Sequence, residues 1–189
     1  MDNYEIYKEK ALEACRQVFL GEYNRSIGIP LPNIEFILPD SNNYKSGEYY
    51  ISIGDTWQIH LNFGLLPTSY KDFQEEVRVL SRHEVEHYIC CPFDVLTHFR
   101  MLKAIIDTFH QYYSHHLIDI VSLSGSLANQ AADIIIDTKN FYRHKSETLK
   151  SEIAWIKKGG YESFKDLPRH SKLMFLTKEA IWKVSLELS

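Results

Sequence analysis

The chain has 189 residues, 44% of them apolar and 24% charged, with a net charge of −4. A chain of that length buries a real hydrophobic core without needing a metal or disulfide merely to fold. No block of lysine or arginine forms a stripe able to neutralise a row of phosphates, so nucleic acid is excluded as a direct partner. No apolar run approaches the roughly 18 residues of a membrane span, and Met1-Asp2-Asn3-Tyr4-Glu5 lacks the basic-then-apolar order of a secretion signal. The three cysteines, Cys15, Cys90 and Cys91, are odd in number and two are adjacent, which argues against a disulfide framework and for a reducing, cytoplasmic compartment.

Along the chain, Tyr4, Tyr7, Ala11, Cys15 and Val18 recur at three- and four-residue spacing and predict an amphipathic helix from Asp2 to about Phe19. Gly28-Ile29-Pro30-Leu31-Pro32 breaks it. Alternating Ile34, Phe36 and Leu38 then predict a strand over Asn33 to Leu38. Two more strands, Glu48 to Ile53 and Trp57 to Phe63, flank Gly54-Asp55-Thr56, which has hairpin length and chemistry. Ser69 and Asp72 form a Ser-x-x-Asp start signal for a helix running to about Cys90, with Phe73, Val77 and Leu80 on its apolar face. Asp94 can cap a helix through about His110, another spans about Leu127 to Tyr142, and two more follow Ser146, divided by Gly159-Gly160 and Pro168. The expected class is α+β, with a small antiparallel three-stranded sheet segregated from a mainly helical body.

The segment His83-Glu84-Val85-Glu86-His87 carries the chemistry. Residues four apart on a helix sit about 40° apart around the axis and about 6 Å along it, so the two imidazoles project side by side and can grip one ion. Zinc suits imidazole nitrogen, and a catalytic site needs a third protein ligand and an open position for water. A neighbouring carboxylate would take the water's proton and hand it to the leaving amine. The segment is nearly palindromic, so the motif alone leaves Glu84 and Glu86 both open as that base. For the third ligand, Asn129, Asp133 and Asp137 form a polar stripe on an Ala- and Ile-rich helix, where unpaired carboxylates would be costly to bury. His98 and Cys91 are further candidates. His115-His116 read as loop residues, and Tyr88, Tyr142 and His144 as conceivable hydrogen-bond donors to a transition state.

The forward motif after a helix and short strands resembles the minimal zincins, the His-Glu-x-x-His zinc metallopeptidases. That resemblance implies Glu84 as base, Glu86 on the solvated side, and Trp57 to Asn62 as the edge strand along which an extended peptide could add. The helix from Ala128 to Asp137 is similar to the Asn-x-Ala-x-Asp segment of bacterial and archaeal metallopeptidases often found with von Willebrand A domains, and this implies Asp133 as the third zinc ligand. Thermolysin-like gluzincins carry a glutamate ligand where this chain has Asn129. The resemblance covers about Asn62 to Asp137. It implies a zincin-like domain over 1–145 with a helical extension of the same domain over 146–189, acting on peptide or protein substrates with Zn2+. The competing expectations are a catalytically silent binding or regulatory module, because fold does not fix function, and a helical protein without metal.

Overall fold

The stripe at the N-terminus is buried as its spacing predicts: Tyr7, Ala11, Cys15 and Val18 all face a core. In the computed structural model, which describes residues 3–38, 49–53, 57–62, 70–91, 94–112, 120–158 and 167–184, they lie on or just beyond helix α1 (Asn3–Arg16). The helix then widens into a π-helical segment, Gln17–Tyr23, that sequence spacing did not reveal, and continues as α2 (Asn24–Ile27). Gly28 ends it in the left-handed region at φ 72°. A residue without Cβ is favoured there, and the Gly28 amide closes the turn onto the Asn24 carbonyl at 2.8 Å. The connection at 54–56, Ser69, Pro92, His115-His116 and Gly159-Gly160, all named above, lie outside the described residues.

Three short strands follow, β1 (Asn33–Ile37), β2 (Tyr49–Ile53) and β3 (Trp57–Asn62), in the spatial order β1-β3-β2. The antiparallel expectation holds for β2 and β3, with Tyr49 opposite Leu61 and Ile53 opposite Trp57. It fails for β1, which runs parallel to β3 from Asn33 opposite Gln58 to Ile37 opposite Asn62. The sheet is therefore mixed. The physical reason lies in the strand directions: β2 fills one side of β3, so β1 joins on the other, and since β2 runs opposite to both its neighbours in sequence, β1 and β3 run the same way. Helix, moreover, makes up most of the described chain, so the α+β expectation is replaced by a helical protein carrying a small mixed sheet.

A second correction follows from the strand order. Trp57 to Asn62 is the central strand and not an edge, because both its sides are paired. Ile59 and Leu61 are buried, as a central strand requires. Beside them His60 faces Glu35 across the β1–β3 pair, Nδ1 to Oε2 at 2.9 Å, and Gln58 donates to the same carboxylate at 3.0 Å.

Helix α3 (Tyr70–Ile89) begins and ends within a residue of expectation. The chain divides into two compact units, Met1–Val85 and Glu86–Ser189, at a point inside this helix. In the first unit Phe73 meets Tyr7 edge-on at 4.9 Å, Ser81 Oγ lies 3.6 Å from Cys15 Sγ, and Arg82 grips Glu22 with two bonds of 2.9 and 2.8 Å.

The second unit contains α4 (Val95–Tyr112), α5 (Ile120–Arg143), α6 (Lys145–Lys158) and α7 (Arg169–Trp182). Asp94 caps α4 as its position predicts, accepting from the Thr97 amide at 2.9 Å and the Thr97 hydroxyl at 2.8 Å. These bonds hold its carboxyl below the usual range. Helix α5 starts earlier than expected and packs against α4, α6 and α7. Phe141, Ile156, Leu167, Phe175 and Trp182 form one core, with the Phe141 and Trp182 rings stacked at 4.5 Å. Among the described residues, no helix is long and apolar enough to cross a membrane.

Lys178 is only 2% exposed and bonds Asp137 at 2.6 Å and Glu152 at 2.8 Å, joining α7 to α5 and α6. Burial opposes its charge, but Glu152 and Asp137 more than offset that and raise its pKa above the ordinary 10.5. Stability from a raised pKa is present throughout the range below 10.5 and is lost only as pH climbs past the ordinary lysine value. Lys178→Met leaves the buried Asp137 and the partly buried Glu152 without their cation, so denaturant unfolding should show a loss of about 3–5 kcal/mol at neutral pH. A loss below about 1 kcal/mol would mean that the cluster is not the tie it looks to be.

Candidate functional site

The histidine pair is set by α3. With three residues between them, His83 and His87 point the same way, and Val85, between them in sequence but on the opposite side, is fully buried. Glu84 and Glu86 sit about 80° round the helix on either side of the mean histidine direction. The symmetry of the sequence is broken by packing. Glu84 is partly exposed, whereas Glu86 is completely buried and bonds Lys139 and, at 3.3 Å, Arg143. The expectation that Glu86 lies on the solvated side is therefore overturned. A carboxylate committed to two cations away from solvent is badly placed to take a proton from water.

Helix α5 brings Asp133 to the pair. Its Oδ1 stands 3.1 Å from His87 Nε2, and one ligand atom each from His83, His87 and Asp133 lie within 4.8 Å of one another. Asn129, one turn earlier, donates from Nδ2 to Asp133 Oδ2 at 3.2 Å and so orients the carboxylate. Of the polar stripe on α5, then, Asp133 joins the histidines, Asn129 steers it, and Asp137 is turned to Lys178. The other candidates fall elsewhere. His98 lies near the start of α4 and is not part of the three-residue cluster. Tyr88 is half exposed, and the Tyr142 hydroxyl donates to the Ile181 carbonyl at 3.3 Å. His144 lines a hollow of about 490 Å3 with Arg143, Lys145, Ser146, Glu147 and Leu149, none of them in the cluster.

Cys91 contributes in a way its thiol did not suggest. The helix stops at Ile89, and the Cys90 and Cys91 amides both return to the Glu86 carbonyl, at 2.8 and 3.2 Å. The turn leaves the Cys91 carbonyl 3.2 Å from His87 Nδ1. The Cys91 side chain is instead buried beside Ala132 and Ile136, and burial, together with the charges of Cys90 and Asp133, pushes its thiol pKa up. Pro92 signals the end of the helix in the sequence, but nothing in the sequence says which side chain the freed carbonyls will meet.

The His87 ring is thus held between two acceptors, a backbone carbonyl at Nδ1 and a carboxylate at Nε2. A carbonyl can only accept, so the contact at Nδ1 is a hydrogen bond when the ring carries a proton there. Nε2 then faces Asp133 as a protonated nitrogen, or as a lone pair sharing a cation with it. With a cation shared between Nε2 and Asp133, His87 should carry its one proton on Nδ1, which a long-range 1H–15N correlation spectrum of the zinc-loaded chain reads directly. A ring protonated on Nε2 in the zinc-loaded chain would contradict a cation shared there.

Compared with known proteins, the chain matches no family model, no curated protein and no solved structure.

Proposed function

We propose that the chain is a zinc-dependent hydrolase of peptide bonds in which His83, His87 and Asp133 hold the ion and Glu84 is the general base. The reading is carried by His87, whose Nε2 faces a carboxylate oxygen at 3.1 Å while Nδ1 is committed to a carbonyl. Two ligands 2.0–2.1 Å from one tetrahedral zinc stand about 3.4 Å apart, so the pair has nearly the spacing that a shared ion needs. Two imidazoles and one carboxylate also form a donor set suited to zinc with a coordination position left for water. When bound, the ion supplies Lewis-acid polarisation of the scissile carbonyl and makes water a better acid.

The chain's own residues do the rest. The Cys91 carbonyl fixes which nitrogen of His87 is offered, and Asn129 fixes the angle of Asp133. Glu84, flanking the histidine pair and partly exposed, takes a proton from water and passes it to the leaving amine. The three free cysteines suit a reducing compartment, and the cytoplasm is the proposed location.

One observation favours a second reading, a binding or regulatory module without turnover. The strand expected to receive an extended peptide is the centre of its sheet, so that route to substrate is closed. Hydrolysis of a mixed peptide library, with and without chelator, separates the two readings.

Elemental analysis of the purified protein should find one equivalent of zinc. Glu84→Gln should keep that zinc and lower hydrolysis by roughly 10²–10⁴-fold, whereas Asp133→Ala should lower zinc affinity itself. Activity retained in Glu84→Gln would rule out this base.

A further inference from the structure

Glu86 plays no part in the chemistry proposed above, yet its carboxylate is fully buried and adjoins a proposed ligand. Moving a carboxylate out of water costs several kcal/mol unless cations repay it, and removing one partner of such a pair exposes that cost. The cations here come one turn apart on a single helix. Lys139 and Arg143 of α5 both reach Glu86, and their side chains remain 30% and 55% exposed. The carboxylate is thus dry while its partners reach outward, a geometry that a neutral residue would serve at lower cost if bulk stability were all that mattered.

The neighbouring residue explains the arrangement. Glu86 and His87 are consecutive on the last turn of α3, and both meet α5: His87 at Asp133, Glu86 at Lys139 and Arg143. Asp133 and Lys139 are six residues apart, about 9 Å along the axis of α5. One contact would leave α5 free to slide or turn against the end of α3, and Asp133 would drift from the ring. Two contacts at that separation fix both motions.

We propose that Glu86, with Lys139 and Arg143, is a positioning clamp that sets the register of α5 against the end of α3 and so holds Asp133 Oδ1 at His87 Nε2. The inference rests on the zinc reading and adds residues that touch neither ion nor substrate. The groups around Glu86 on α5 are cations, whereas those around the metal cluster are ligands, so charge can be removed from the clamp without altering the donor set. Loss of such a supporting contact typically weakens metal binding 10–100-fold.

The test is zinc affinity by competition with a chromogenic chelator, measured on the full chain, for Glu86→Gln and for the doubly neutral Lys139→Gln/Arg143→Gln variant. The second variant changes partly exposed residues and serves if the first does not fold. Both should bind zinc 10–100-fold more weakly than the unaltered chain, and Lys139→Arg, which keeps the charge, should restore affinity to within about threefold. Lys178→Met, which removes a buried cation contacting the same helix away from the cluster, controls for general weakening and should leave zinc affinity unchanged. Unaltered affinity in both clamp variants, or equal weakening in Lys178→Met, overturns the clamp while leaving the zinc site standing. Absence of zinc from the unaltered chain overturns the zinc reading, and the clamp with it.

Discussion

Paired charge along one helix organises the second half of the chain. Helix α5 packs against α4, α6 and α7 and buries Ala128, Ala132 and Ile136 among them. Yet Asp133, Asp137, Lys139 and Arg143 all project from it into ion pairs with other elements. Asp137, and the Glu86 and Lys178 that meet this helix, are buried charges and are tolerable only with a partner, so each specifies what must lie opposite it. Apolar packing alone would accept a helix shifted by a turn. The charges that meet α3 do not, because a shift of one residue would turn Asp133, Lys139 and Arg143 away from their partners.

Within that frame the candidate site divides its work between side chain and backbone. In the proposed zinc site His83, His87 and Asp133 would supply the ligand atoms, while the carbonyl of Cys91, just past the end of α3, lies 3.2 Å from the other nitrogen of His87. Helix ends leave carbonyls without intrahelical partners, and here one of them meets the His87 ring. The same turn buries the Cys91 thiol against α5, so a residue that offers sulfur in the sequence offers oxygen in the fold.

Much of the molecule was legible in the sequence where periodicity was strong. The stripe from Tyr7 to Val18, the bounds of α3 and the Asp94 cap follow from local spacing and local hydrogen bonding, which depend on residues close in the chain. The pairing of His83 with His87 is of the same kind. What the sequence left open depends on distant partners. The parallel sense of β1 depends on its pairing with β3 rather than with the next strand in the chain, and the burial of Glu86 on cations more than fifty positions later. The choice among Asn129, Asp133 and Asp137 likewise depends on where Lys178 reaches. The π-helical segment at Gln17–Tyr23 carries no comparable signal.

The mixed sheet also has a kinetic meaning. Strands β2 and β3 are neighbours in sequence and can zip from their turn on a timescale of about 1–10 μs. The partners of β1 on β3 are distant in the chain, so their pairing must first meet the entropy of closing a longer loop. The sheet should therefore assemble from the hairpin outward, with β1 the last strand to arrive. Until it does, one side of β3 presents unpaired backbone donors and acceptors, and the interval before β1 docks is when this half of the chain is most open to joining another copy of itself.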